Sequence, residues 1–205
     1  MLDALLQNNI LFCDAGTGIG KTDAYLTACI LFQQFRPARI QPVVISTSSV
    51  ALQDAILKTY LPFLSHVFLR DHILSQPIRA VVRKGKERFV CDELLAWRLD
   101  AVREKKKNAK QMEALRSLQF HLDLDTVTGL SSFDRKQVCI PKSCPRNCAQ
   151  IHSCRYRNYL RDSRSAEILI QICNHNYLLA DAEHRLQGIR PLLSDYRALI
   201  IDEAH

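Results

Sequence analysis

The residues near the start of the chain include a segment with the chemistry of a phosphate-binding loop. The segment consists of Ala15, Gly16, Thr17, Gly18, Ile19, Gly20, Lys21 and Thr22. Glycines let backbone N–H groups converge on phosphate oxygens, Lys21 adds a positive charge near the β- and γ-phosphates, and the Thr22 hydroxyl can ligate Mg²⁺. It matches the Walker A pattern except that Ala15 replaces the first glycine. This spacing predicts an ATP site, against the alternative of a glycine-rich turn that binds nothing.

A pair of acidic residues at the other end of the printed sequence complements this loop. Asp202 and Glu203 follow the apolar run Ala198–Ile201, which is the Walker B arrangement. Asp202 would hold Mg²⁺ directly or through water, and Glu203 would orient and deprotonate the attacking water. Together the two motifs predict nucleoside triphosphate hydrolysis, with Lys21 and Glu203 as catalytic residues.

Four cysteines have a spacing that suits a metal centre. Cys91, Cys144, Cys148 and Cys154 form a C-x52-C-x3-C-x5-C pattern. Four thiolates suit either a [4Fe-4S] cluster or tetrahedral Zn²⁺, and the spacing alone does not choose between them. Cys139 competes with Cys144 for a place in this set, but its apolar neighbours favour a packed cysteine. The remaining cysteines, Cys13, Cys29 and Cys173, are predicted to lie in the core.

The elements that must position these residues alternate between strand and helix. Ile10–Phe12 is predicted as a strand before the glycine-rich loop, and Lys21–Phe35 has the apolar spacing of a helix. Short runs rich in β-branched residues predict further strands at 43–45, 80–82, 168–170 and 199–201. Strands that alternate with helices indicate an α/β fold with a parallel sheet.

The alternation stops in the middle of the chain, where residues 85–165 are predicted to form an insertion. Asp92–His121 has the pattern of one long polar helix with Trp97 on its apolar side. Residues 135–164 then hold eight Lys/Arg and one acid, whereas the whole chain has a net charge of +7. Basic side chains alternate with aromatic ones at Arg155, Tyr156, Arg157, Tyr159 and Arg161. This interleaving favours contact with single-stranded nucleic acid, although the tyrosines could equally pack inside the insertion.

Several segments resemble those of a known family. The AGTGIGKT and DEAH segments resemble superfamily two helicases, and DEAH with the cysteines resembles the DinG and XPD branch of iron-sulfur helicases. Residues 44–53 are similar to that branch's motif Ia. Residues 84–91 resemble its segment that carries the first cluster cysteine, and residues 173–181 resemble the segment that follows the last one. DinG fits best.

The resemblance implies an ATP-dependent DNA helicase with 5′ to 3′ polarity and a role in DNA repair. It implies a RecA-like P-loop NTPase domain made of residues 1–84 and 166–205, interrupted by a mostly helical iron-sulfur insertion. The four cysteines would ligate a [4Fe-4S] cluster, with Zn²⁺ less favoured. Ser46, Thr47, Arg155, Arg157 and Arg161 would contact DNA. His205 would couple the ATP state to a second motor domain.

The sequence also sets expectations about partners and completeness. We expect single-stranded or forked DNA as partner, a monomeric cytoplasmic protein and no membrane association, because no apolar run reaches the roughly 20 residues of a membrane span. No RxxQ segment precedes residue 15 and nothing follows His205, so we expect only the first motor domain with its insertion.

Two alternative functions remain open at this stage. One is a metal-stabilised nucleic-acid-binding module that binds ATP without turnover. The other is a zinc-containing P-loop ATPase that acts on protein complexes. Stimulation of ATP hydrolysis by single-stranded DNA distinguishes the helicase motor from the first alternative, and a lack of affinity for DNA would indicate the second.

Overall fold

Four parallel strands form the sheet around which the first part of the molecule is built. The strands are β1 (Val43–Thr47), β2 (Ala80–Val82), β3 (Ile170–Asn174) and β4 (Ala198–Ile201). Their order in the sheet is β2-β3-β1-β4, and Ile45 on β1 pairs with Ile172 on β3 and with Ile200 on β4. The predicted α/β class with a parallel sheet is confirmed, and the sheet is consistent with a P-loop NTPase-like domain.

The computed structural model describes residues 1–16, 18–35, 41–104, 109–145 and 147–204. The chain divides into two compact units, one made of Met1–Arg83 with Arg164–His205 and the other of Lys84–Ser163. The α-helices in the described ranges are α1 (Leu2–Gln7), α2 (Lys21–Phe35), α3 (Val50–Ala55), α4 (Leu61–Arg70), α5 (Asp92–Glu104), α6 (Ala109–Ser117), α7 (Ser132–Val138), α8 (Arg155–Asp162) and α9 (His175–Leu186). A π-helical turn, Ile56–Tyr60, joins α3 to α4. None of these helices is both long and apolar enough to cross a bilayer.

The core of the first unit lies between the sheet and its helices. All five residues of β1 are buried, as expected for a central strand of a parallel sheet that is covered on both faces. Leu26 and Phe32 of α2 are fully buried in the same cluster as Ile45 and Ile56. This packing fixes α2, and therefore the residues at its start, against the sheet.

The second unit, Lys84–Ser163, has a separate and smaller apolar core. Val90, Leu115, Leu118, Leu124 and Val138 are its most buried members. Of the single helix predicted over 92–121, the structure has α5 and α6 as helix, and α6 ends at Ser117. Residues 105–108 lie outside the described residues. Trp97 is 63% exposed rather than on the apolar side, because α5 buries Leu95 and Val102 instead.

The strand predicted at Ile10–Phe12 is wrong. Ile10 and Phe12 are 87% and 93% exposed, and the segment pairs with no strand in the described ranges. The preceding helix α1 ends at Asn8, whose left-handed backbone (φ 57°) turns the chain. A three-residue run without a neighbouring strand gains too little burial and too few hydrogen bonds to offset the entropy of ordering it. Cys13 is consequently exposed, contrary to its predicted core position, whereas Cys29 and Cys173 are buried as predicted.

Candidate functional site

The carboxyl ends of β1 and β4 bring two distant predicted motifs together. Because the strands are parallel and adjacent, the residues that follow them lie at the same edge of the sheet. The backbone N–H of Asp202 donates a hydrogen bond to the Ser46 carbonyl oxygen at 2.9 Å. The carboxyl edge of an open α/β sheet is where ligands bind in this class of fold.

The glycine-rich loop has the backbone geometry that its sequence requires. Gly18 and Gly20 have φ angles of 78° and 82°, in the left-handed region that favours glycine. Among the described residues, apart from the chain neighbours, no atom lies within 4 Å of a Cβ placed at either glycine. Glycine is therefore favoured here by the backbone conformation and not by lack of space for a side chain. Ala15 is half-buried, Gly16 and Ile19 are exposed, and Thr17 lies outside the described residues. Helix α2 begins directly after the loop, at Lys21.

The two predicted catalytic side chains are in direct contact, although 182 positions separate them. Lys21 Nζ lies 3.2 Å from Glu203 Oε1, and both side chains are partly exposed. Glu203 has a left-handed backbone (φ 56°), which is unusual for a residue with a side chain and places it at a sharp turn after β4. In this structure Lys21 therefore has a carboxylate partner.

Tyr25 contacts one of the two predicted Mg²⁺ ligands. Its hydroxyl donates to Asp202 Oδ2 at 3.4 Å. Burial, and then the negative charge of Asp202, raise the pKa of Tyr25 above its usual range, so the hydroxyl keeps its proton. The apolar spacing of Lys21–Phe35 includes Tyr25 but assigns it no role at the site. Its position one helical turn after Lys21, and the need of a buried hydroxyl for a partner, are the signals that could have identified it.

Ser46 and Thr47, predicted to contact DNA, are both fully buried. Ser46 Oγ lies 2.7 Å from Nδ1 of His175, the first residue of α9, and Thr47 Oγ1 accepts a hydrogen bond from the Ser49 N–H at 3.3 Å. The residues exposed at this edge are the next three, Ser48–Val50. His175 was not among the predicted site residues. Its position directly after a strand, inside a segment already matched to the family, was the available signal.

The four predicted ligand cysteines lie within the same compact unit. Cys91, Cys148 and Cys154 are partly buried and Cys144 is exposed. Burial raises the pKa of Cys91, and the charges of Cys144 and Cys154 add to this effect. A hydrogen bond from its thiol to Glu93, 3.1 Å long, raises the pKa of Cys148. In the described ranges, no three His, Cys, Asp or Glu side chains are arranged closely enough to hold a metal ion.

Some of these thiols influence one another's ionisation. The negative charges of Cys144 and Cys154 raise the pKa of Cys91, and Cys91 in turn contributes to the raised pKa of Cys148. Cys139 has a different environment. It packs against the core of the second unit, and its thiol lies 3.6 Å from the Lys136 carbonyl oxygen.

The arginines of α8 differ in how many contacts they make with other groups of the protein. Arg155 Nε donates to Asp92 at 2.8 Å, and its guanidinium also contacts the carbonyl oxygens of Leu118 and Gln119. Arg157 and Arg161 are exposed; Arg157 donates to the Ile151 carbonyl oxygen at 3.3 Å, and Arg161 donates to Asp162 at 3.0 Å. Arg155 is thus held in internal contacts, while the other two present charge to solvent.

The aromatic residues of α8 stack inside the second unit. The rings of Tyr156 and Tyr159 lie 5.1 and 4.7 Å from the ring of Phe89. Phe89 is buried, and both tyrosines are partly buried. These contacts favour a role for the two tyrosines in packing the second unit rather than in stacking on nucleic-acid bases.

Comparison with known proteins places these features in context. No protein-family model matches the chain. It is 27% identical to the ATP-dependent DNA helicase DinG of Photobacterium profundum, over 97% of this chain and 29% of that protein. It is 24% identical to the ATP-dependent DNA helicase YoaA of Haemophilus influenzae, and 26% identical to DinG of Escherichia coli, over 98% and 95% of this chain. The chain spans about three tenths of the length of these relatives. The resemblance to DinG-like helicases that the motifs predicted is confirmed.

Proposed function

We propose that this chain, as the equivalent of part of a DinG-like helicase, binds Mg·ATP at the carboxyl edge of its sheet and supplies the residues for ATP hydrolysis. The observation that carries the proposal is the convergence of Lys21, Thr22, Asp202 and Glu203, from opposite ends of the chain, at one place. Such convergence requires the tertiary fold, so it supports the motif assignment independently of the sequence pattern.

Each residue of the nucleotide site has a defined part in this proposal. The Lys21 ammonium would exchange its Glu203 partner for the β- and γ-phosphates, where the N-terminus of α2 adds its positive dipole. Glu203, released from Lys21, would orient the attacking water and accept its proton. Thr22 and Asp202 offer the hard oxygen ligands that Mg²⁺ prefers, and Mg²⁺ would neutralise charge on the transferring phosphate.

For DNA, we propose contact through the exposed segment Ser48–Val50, at the start of α3, and through Arg157 and Arg161. Ser48–Val50 is exposed next to the buried Ser46 and Thr47, so its backbone and the Ser48 and Ser49 side chains are accessible. The exposed arginines supply charge for phosphates. Unwinding with 5′ to 3′ polarity, and a place in DNA repair, are proposals that concern the whole enzyme of which such a chain would be part.

For the cysteine centre, we propose a [4Fe-4S] cluster held by Cys91, Cys144, Cys148 and Cys154, with Zn²⁺ as the alternative. The cluster would cross-link segments that lie more than 50 residues apart in the chain, and so would stabilise a unit whose own apolar core is small. Cys139 is left out because it packs against that core.

Nucleotide binding by the 205-residue chain tests the proposal. Isothermal titration with a non-hydrolysable ATP analogue and Mg²⁺ should show a saturable site. Replacing Lys21 with Ala should weaken binding at least about tenfold, because it removes a charge-assisted contact worth about 1.5–3 kcal/mol. Lys58→Ala is the matched control, since Lys58 is an exposed lysine of the π-helical turn whose ion-pair partner among the described residues is Asp54 of α3. Equal affinity in both variants would reject the proposed site.

A further inference from the structure

We propose that Tyr25 is a positioning residue for Mg²⁺, which holds the Asp202 carboxylate so that its second oxygen is available to the cation. The inference rests on the proposed nucleotide site and assigns a role to a residue outside both sequence motifs.

The position of the Tyr25 hydroxyl is fixed by the packing of its ring. Tyr25 is only 4% exposed and belongs to the same core cluster as Leu26 and Cys29. A buried aromatic ring with two rotatable side-chain bonds carries its hydroxyl to one defined place. That place lies beside a residue that follows β4, an element that only the tertiary fold brings to α2.

The direction of the hydrogen bond decides which atoms remain available. The Tyr25 O–H donates to Asp202 Oδ2. This hydrogen bond occupies one oxygen of the Asp202 carboxylate. The second oxygen of Asp202 is left as an acceptor, which is the kind of atom that a hard cation requires.

Loss of the Tyr25 hydroxyl should therefore affect metal affinity and leave phosphate binding intact. Without it, Asp202 loses the hydrogen bond that holds its carboxylate in place. This change does not involve Lys21, the backbone of the glycine-rich loop or the dipole of α2. The expected signature is a shift in Mg²⁺ dependence without a matching loss of metal-free nucleotide affinity.

The test compares wild-type chain, Tyr25→Phe and Tyr60→Phe. Tyr60 is the matched control because it packs against the same core cluster and, in the part of the chain that the structure describes, no hydrogen bond joins its hydroxyl to the site. Isothermal titration with a non-hydrolysable ATP analogue is run without metal and over a series of Mg²⁺ concentrations. Tyr25→Phe should bind the metal-free analogue within about twofold of wild type and need about tenfold more Mg²⁺ for its half-maximal effect, the size expected for one lost hydrogen bond. Tyr60→Phe should match wild type.

The outcomes separate this inference from the proposed function. If wild type shows no nucleotide binding, the proposed function and the inference both fail. If wild type responds to Mg²⁺ and Tyr25→Phe has the same midpoint, the positioning role is overturned while the nucleotide site stands. If Tyr25→Phe weakens metal-free and Mg²⁺-dependent binding equally, the hydroxyl serves packing alone and the inference is also overturned.

Discussion

At the residue scale, the contact between Lys21 and Glu203 makes a specific prediction about nucleotide affinity. Glu203 competes with phosphate for Lys21, so Glu203→Gln should bind a non-hydrolysable ATP analogue as tightly as wild type or up to about fivefold more tightly, because a partly exposed ion pair is worth about 0–1 kcal/mol. The same substitution should abolish ATP turnover by removing the base. Titration calorimetry and a phosphate-release assay measure the two effects.

The control for this experiment is Glu183→Gln, which changes an exposed glutamate on α9. Weaker nucleotide binding in Glu203→Gln than in this control would show that Glu203 helps to hold the nucleotide rather than to activate water.

Also at the residue scale, the cysteines can be separated by their iron content. Protein purified without oxygen should contain about four irons per chain and be brown. Cys148→Ser should lose most of the iron, whereas Cys139→Ser should retain it, because Cys139 packs against the apolar core. Iron analysis and visible absorption measure both. Loss of iron in Cys139→Ser with retention in Cys144→Ser would show that Cys139 is the ligand and Cys144 is not.

At the scale of the elements, Asp134 ties three helices of the second unit together. Its buried carboxylate accepts hydrogen bonds from Arg98 of α5, Gln111 of α6 and Ser131, the N-cap of α7. Burial raises the pKa of Asp134, but these hydrogen bonds and the charge of Arg98 outweigh it, and the pKa lies below the usual 3.8. A group whose pKa is lower in the folded than in the unfolded protein stabilises the fold at pH values above its unfolded-state pKa. This stabilisation is lost as the pH falls through the folded-state pKa.

Thermal unfolding at a series of pH values tests this element-scale role. Wild type should lose stability as the pH falls through about 4 and below, toward the lowered folded-state pKa. Asp134→Asn should be less stable at neutral pH by about 1–3 kcal/mol, since it weakens a buried network, and its stability should change less with acid. Asp100→Asn, an exposed change on α5, is the control. If the stability of all three proteins depended on pH in the same way, Asp134 would not be the source of the acid sensitivity.

At the scale of the whole molecule, the net charge of +7 is concentrated in residues 135–164. Single-stranded DNA should bind the chain with an affinity that falls steeply with salt, because each neutralised phosphate releases counterions. Arg157→Glu with Arg161→Glu should reduce that affinity at least about tenfold and lower the salt dependence. Fluorescence anisotropy with a labelled oligonucleotide measures both quantities.

Arg103→Glu with Arg116→Glu makes the same change in net charge at two exposed arginines outside this segment. An equal loss of DNA affinity in the two double variants would show that total charge, and not the exposed face of α8, governs binding.

The sequence by itself determined the features that depend on short stretches of chain. The glycine-rich loop and the acidic pair after an apolar strand follow from residue types within a few positions of one another, and the parallel α/β class follows from a succession of such short patterns along the chain. Local conformational needs, such as positive φ at Gly18 and Gly20, and the alternation of apolar residues act at that range, so a sequence pattern can report them.

Only the tertiary structure decided which of these residues meet. It brought Lys21 to Glu203 and Tyr25 to Asp202 from opposite ends of the chain, and it buried Ser46 and Thr47 where the sequence predicted contact with DNA. It also exposed Ile10–Phe12, whose apolar run predicted a strand. These outcomes depend on long-range packing, in which a segment is buried or exposed according to the neighbours that the fold places beside it, and local propensity carries no information about those neighbours.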